Sequence, residues 1–271
     1  MMKATVLVDN KACQGCAGEW GLSVYIEYED KVILLDAGGS PLFFVNAGKL
    51  GKDISKVDYA VLSHAHYDHS LGMETFFENN SRADFFIQEG TEANCYKKVW
   101  LIHKYIGLPR NILSDYRDRI RYVSGDYKLM DGVYIIPHKT ADGRAAGKRE
   151  NMFLRKHGRW EHDDFSHEQS LVFETEKGLV IFSSCSHAGA TAIIEEIAQT
   201  FPGRKVHGII GGFHLYNKTE AEVRSLAARI RETGIEFICT GHCTGDKAYD
   251  ILKKELGDSL CQLHVNKVME F

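Results

Sequence analysis

An apolar run, DYAVLS, leads straight into His64-Ala-His66-Tyr-Asp68-His69, so four metal-ligand residue types fall within six positions at the end of a strand. In an extended segment two imidazoles at i and i+2 share a face and can converge, while Asp68 and His69 can turn toward a neighbouring position. Such a set suits a divalent cation, because imidazole favours zinc, iron or nickel and a carboxylate adds negative charge. A single histidine here would read as a solvated turn residue; a cluster this dense does not. Two more ligand-type residues also follow apolar strands directly, His187 in FSSCSHAG and His242 in CTGHCTG. DYAVLSHAH and EFICTGHCTG thus echo each other, each placing histidine at the carboxyl end of a strand, where α/β folds tend to build their sites.

The surrounding pattern fits that placement. Runs rich in β-branched residues, VYIEY, KVILLD, DYAVLS, DFFI, GVYIIP, SLVFET, GLVIFSS, VHGIIGG and EFICT, predict strands, many of them apolar on both faces. Helical spacing predicts helices over 41–50, 91–107, 189–200 and 219–233, the last from Ala221, Val223, Leu226, Ala227 and Ile230. The class is α/β with covered sheets. With 271 residues and 44% hydrophobic content the chain can build one large domain, read here as residues 1–271. Residues 138–168 are polar, rich in charge and without period, which predicts a long loop insertion.

Composition excludes several roles. A net charge of −4, with acids and bases interspersed, offers no surface for nucleic acid or anionic lipid. No apolar run approaches the ~20 residues of a membrane helix, and the N-terminus has no secretory h-region, so a cytoplasmic location is expected. Seven cysteines, an odd number, fit reduced thiols. Cys13-Gln-Gly-Cys16 is an isolated C-x-x-C without the helix of a redox fold. His103, His138, His157, His162 and His167 lie in polar surroundings and are expected to be solvated, as are Lys139, Arg144, Lys148 and Arg149, whose other reading is a phosphate contact. Tyr67 is a packing residue placed to reach the cluster. His214, after Gly211-Gly212-Phe213, is a candidate substrate contact.

H-x-H-x-D-H after a strand, preceded by the acidic strand end ILLDAGG, resembles the signature of the metallo-β-lactamase superfamily. More narrowly, GEWGLSVYIEYEDKVILLDAG, VDYAVLSHAHYDHSLGM, HEQSLVFETEKGLVIFSSCSHAG, GIIGGFHL and CTGHCTG, in this order, resemble the branch of metal-dependent hydrolases named after dihydropterin ribofuranosylaminobenzene phosphate synthase. The resemblance implies a four-layer αβ/βα sandwich with one or two divalent ions at the edge between the sheets, zinc before iron, manganese or nickel. It assigns His64, His66 and His187 to one ion, and Asp68, His69 and His242 to the other, with a bridging water between. Asp36 matches the acid that braces the ligand loop without binding metal. Many members carry a bridging aspartate after the strand that corresponds to GLVIFSS; this chain has Ser184-Cys185-Ser186 there. The second ion is therefore expected to bind less tightly. Asp163 and Asp164 are read as solvated acids rather than replacements, and Cys185 and Cys243 as flanking thiols that could act as soft ligands.

The implied chemistry is hydrolysis of an ester, phosphoester or related small molecule by metal-activated water, with Asp68 orienting the water or taking its proton. The branch name offers an alternative, a synthase joining a pterin-type electrophile to an arylamine. A flavodiiron-like reductase normally has glutamate at the position of His66 and a flavin module, and this chain has neither. A binding protein with a dead site is opposed by the intact ligand set.

Overall fold

The computed structural model describes residues 1–139 and 143–271. Two seven-stranded mixed sheets form the centre of the fold. From edge to edge the first holds β18 (Val268–Glu270), β1 (Met2–Val8), β2 (Ser23–Tyr28), β3 (Lys31–Leu35), β4 (Tyr59–Val61), β5 (Phe85–Gln88) and β8 (Ile120–Val123). The second holds β17 (Leu260–Gln262), β16 (Phe237–Thr240), β15 (Val206–Gly211), β14 (Gly178–Phe182), β13 (Gln169–Thr175), β10 (Val133–Pro137) and β9 (Tyr127–Met130). Both sheets follow one plan. Strands joined by tight turns pair antiparallel, as β2 with β3 and β13 with β14, while β3, β4, β5 and β8, and likewise β14 through β17, run parallel.

Parallel neighbours need crossover connections, and the crossovers supply helices that cover the outer faces. Alternation along a strand sends side chains to both sides: Ile33 and Leu35 of β3 join Val61, Leu171, Phe173, Val180 and Ile210 between the sheets. Leu34 points the other way, into a cluster with Phe43 of α1 (Leu42–Lys49) and Met73 and Phe76 of α3 (Met73–Asn79). On the far side Ile181, Ile209 and Ile238 pack against α6 (Ala190–Thr200), α7 (Glu220–Glu232) and α8 (Asp246–Leu256). Each helix start has a local cause where the sequence supplies one: Thr219 and Glu222 close a capping box on α7. The layers are helix, sheet, sheet, helix, as expected for the αβ/βα sandwich.

Two expectations fail together. Residues 91–107 form no helix, and 138–168, apart from residues 140–142 outside the described part, form no long loop. Instead β6 (Cys95–Val99) and β7 (Ile102–Tyr105) join β11 (Met152–Lys156) and β12 (Arg159–His162) in a small antiparallel sheet, β12-β11-β6-β7, preceded by α5 (Gly143–Glu150). The helix-like spacing of apolar residues arises from the β6–β7 turn, where Trp100 takes φ 57° and Trp100 and Leu101 are exposed rather than buried. Charged residues on the outer face of β11 and β12 hid the period of two. Short α2 (Tyr67–Ser70) and α4 (Ile112–Asp115) complete the helices of the described residues, none of which is long and apolar enough to cross a membrane.

Candidate metal centre

The first parallel strands end where the ligand-type residues begin. Asp36 follows β3 in the left-handed region, φ 58°, and its side chain becomes the hub of the site. Its Oδ1 accepts the Ser63 backbone N–H (2.7 Å), and Oδ2 accepts the hydroxyls of Ser63 (2.8 Å) and Ser184 (2.6 Å) and lies 2.8 Å from His69 Nδ1. One buried carboxylate thereby fastens the loop after β4 to the loop after β14, across the two sheets. The bonds also set tautomers. His69 gives its Nδ1–H to Asp36, which leaves Nε2 as the free end. Ser63, having given its proton to Asp36, accepts from His64 Nδ1 at 2.8 Å, so His64 also presents Nε2.

His64, His66 and His187 converge. Their ring centroids are 4.6, 5.0 and 5.1 Å apart, all three residues are buried, and His187 stacks on Phe165 at 4.3 Å. His64 Nε2, His66 Nε2 and both nitrogens of His187 have no hydrogen-bond partner. Burial, reinforced by the neighbouring imidazoles, holds all three pKa values well below the ordinary 6.5, so the rings are neutral. Buried nitrogens without partners are costly to leave so. Neutral imidazoles aiming lone pairs inward are what a cation needs, and the donor set fits a divalent metal.

A second group sits beside the first. His69 Nε2 is 3.2 Å from His242 Nε2, and Asp68 Oδ2 lies 3.5 Å from His242 and 3.8 Å from His69. His242 starts the turn after β16 with φ 47°. Its backbone N–H bonds Asp9 (2.9 Å) and its Nδ1 faces Asn10 Oδ1 (3.2 Å), which again turns Nε2 inward. Burial lowers the His69 pKa, but Asp36 and Asp68 outweigh it and push it up to about 9; His242, buried beside a cation, is pushed down to about 3. The pair therefore shares one proton. Cys185 Sγ lies 3.3 Å from His69 Nε2, and burial keeps its thiol well above its ordinary pKa.

The sequence profile of the metallo-β-lactamase superfamily matches residues 21–242. The chain belongs to that superfamily. The 7,8-dihydropterin-6-methyl-4-(β-D-ribofuranosyl)-aminobenzene-5'-phosphate synthase of Methanocaldococcus jannaschii is 28% identical to it over 93% of this chain and 90% of its own. Tm1679, a metal-dependent hydrolase of the β-lactamase superfamily, superposes with a TM-score of 0.86 at 27% identity, over 100% of this chain and 99% of that one. A diphosphatase of the PhnP family shares the fold, with a TM-score of 0.59 at 16% identity over 100% and 98% of the two chains. In this metallo-β-lactamase fold the candidate ligands occupy the rim where the parallel ends of both sheets meet.

Several residues of the rim escaped the sequence reading. Glu168 accepts the backbone N–H groups of His187 (2.8 Å) and Ala188 (2.9 Å) and so shapes the His187 loop. Asp163 and His167, expected in solvent, are buried, and His138 has a buried side chain. Asp163 Oδ2 lies 3.3 Å from His167 Nε2, and both group with Cys95 and His66, their ligand atoms within 4.8 Å of one another. The solvated reading fails for Asp163 and His167 because β6 and β11 of the small sheet lie against them, and for His138 because Glu168, Ser170 and Glu196 surround it. Tyr67 is 38% exposed, at the rim rather than among the ligand groups.

His214 also takes a left-handed backbone, φ 49°, after Gly211 at φ 138° and a Gly212 so close to Cys243 and Ser184 that no β-carbon fits. Its ring centroid is 4.4 Å from that of His187, and its Nε2 is 3.5 Å from Glu150 of α5. Burial lowers its pKa, but Cys243 and Glu150 override this and push it up to about 9, so it is a cation at neutral pH. Glu150 also binds Lys218 and Asn217. Beside them a cavity of about 590 Å³ is lined by His187, His214, Thr191, Arg149, Lys218 and Arg229, among others.

Proposed function

We propose that this chain is a cytoplasmic, single-domain metal-dependent hydrolase that opens an ester, phosphoester or related bond in a small molecule by attack of water. His64, His66 and His187 would hold one divalent ion and Asp68, His69 and His242 another, with zinc the first expectation. A bound ion would supply Lewis acidity, lowering the pKa of water from about 15.7 toward 7 and polarising the substrate oxygen. The protein's own groups do the rest. Asp68 would orient the nucleophile and accept its proton, Asp36 holds His69 in register, and protonated His214, steadied by Glu150 and facing the cavity, would favour an anionic group on the substrate.

The observation that carries this reading is the set of buried imidazole nitrogens without partners in the His64, His66 and His187 group. Metal analysis of protein purified without added metal tests it, followed by a screen of phosphodiesters, thioesters, lactones and pterin phosphates. Protein that retains no metal and hydrolyses none of these would sink the proposal. A second reading, a synthase-type transferase, draws support from the 28% identity to the dihydropterin synthase along nearly the whole chain. Including an arylamine acceptor in the pterin phosphate assay separates the two: a coupled product marks the transferase, and free pterin alone marks the hydrolase.

A further inference from the structure

The strand that enters the site from the second sheet brings no carboxylate, yet the group it does bring lies between both sets of candidate ligands. β14 ends at Phe182, Ser184 is tied to Asp36 at 2.6 Å, and Cys185 follows at once, buried at 3% exposure. Its Sγ lies within mutual reach of a His64 and a His187 nitrogen, all within 4.8 Å of one another, and equally of His69 and His242. Among the described residues no other side chain belongs to both of these groups. We propose that Cys185 is a ligand common to both ion positions, its thiolate standing where a bridging carboxylate would otherwise be. This rests on the metal-dependent reading given above.

Distances favour ligation over packing. Zinc binds sulfur at about 2.3 Å and imidazole nitrogen at about 2.0 Å, so tetrahedral ligands on one ion lie roughly 3.5 Å (S to N) and roughly 3.3 Å (N to N) apart. Cys185 Sγ to His69 Nε2 is 3.3 Å and His69 Nε2 to His242 Nε2 is 3.2 Å. The nitrogens that would complete the other ion's set, His64 Nε2 and those of His187, have no partner at all.

Charge points the same way. Two dications held among buried side chains need more negative charge than Asp68 provides, and Asp36 is already committed to two hydroxyls, a backbone N–H and His69. Of the other acids, Glu168 accepts two backbone N–H groups of the His187 loop, Asp163 lies 3.3 Å from His167 and groups with His66 alone among the six candidate ligands, and Asp164 bonds Ser166. Cys243 groups with Cys185 and His214, not with His69 and His242. A soft bridging thiolate would also bias the site toward zinc or cobalt and away from magnesium or calcium.

Cobalt(II) reports on sulfur ligation directly. Full-length protein freed of metal and titrated with Co(II) is expected to take two equivalents and to develop a thiolate-to-cobalt charge-transfer band. Cys185→Ser should lose that band and weaken the second equivalent by roughly tenfold or more. Cys185→Asp should restore the second equivalent without the band, and Cys243→Ser should keep both. Two equivalents bound by the native protein without any band, or a band that survives Cys185→Ser, would overturn the assignment while leaving the metal-dependent reading intact. Failure of the native protein to bind Co(II) or Zn(II) would overturn both.

Discussion

The His64, His66 and His187 group and the Asp68, His69 and His242 group lie side by side, but their nitrogens are held in opposite ways. In the second, each imidazole has its outer nitrogen fixed by an acceptor, Asp36 for His69 and Asn10 for His242, and the inner nitrogens share a proton. In the first, only His64 has such a tether, and four nitrogens face no partner. One group is arranged around charge, the other around neutral lone pairs. A proton occupies the imidazoles of the charged group at neutral pH, whereas the three imidazoles of the neutral group carry none to displace.

The largest expected effect breaks the neutral group. His66→Ala removes one of three imidazoles, and a three-ligand shell does not survive as two. Metal content should fall by about one equivalent and turnover by more than about a thousandfold. Unchanged metal content would remove His66 from the ligand set, and attention would pass to its contacts with Asp163 and His167.

Next comes Asp68→Asn, which removes charge and basicity from the second group while keeping its size. A general base typically contributes 10²- to 10⁴-fold, so a loss of roughly a hundredfold or more in kcat is expected, with partial retention of metal. Near-normal turnover would mean that Asp68 neither accepts a proton nor orients the nucleophile.

The order of loading sharpens the comparison further. An ion entering the second group must displace the proton that His69 holds up to a pH of about 9, which at pH 7 costs roughly a hundredfold in apparent affinity. His64, His66 and His187 lie well below 6.5 and release no such proton. The first group should therefore fill first. Because the His69 pKa is raised, second-group affinity should climb as pH rises toward about 9 and fall steadily below it, not merely below the 6.5 of free histidine. Calorimetric titration of metal-free protein at several pH values checks this; two equal sites at pH 7, or a second equivalent indifferent to pH between 7 and 9, would contradict it.

How much of this was legible follows from the range over which each residue acts. Strands apolar on both faces, such as KVILLD and GLVIFSS, announce a covered sheet from local pattern alone, and the six-residue histidine cluster announces a cation site because its members are adjacent. The groups that orient those members are distant in sequence: Asn10 meets His242 across 232 residues, and Ser184 meets Asp36 across 148. Nothing local marks an asparagine or serine as a tether. Nothing local marks Glu168 as the acid that shapes a loop 19 residues away, and Asp163 and His167 read as solvated because the cover over them is built by β6, whose strand character is obscured by its exposed turn.

The smallest effect concerns the link between the rim and the cavity. His214 owes its raised pKa of about 9 to Cys243 and to Glu150, which lies 3.5 Å away and is itself held by Lys218 and Asn217. Replacing Glu150 by Gln removes one of the two supports without removing a candidate ligand, so metal content should stay unchanged. The sign is set by the raised value: His214 is a cation below about 9 and loses its proton above it, and without Glu150 that loss moves to lower pH. For an anionic substrate, KM of the native protein should rise as pH passes about 9. In Glu150→Gln the same rise should begin nearer neutrality, giving roughly a fivefold higher KM at pH 8, about 1 kcal/mol, with kcat little altered. Steady-state kinetics on an anionic and a neutral substrate decide the matter. A parallel rise for the neutral substrate would mean that Glu150 acts by shaping the cavity wall, and a fall in kcat alone would move His214 from holding the substrate to the chemical step.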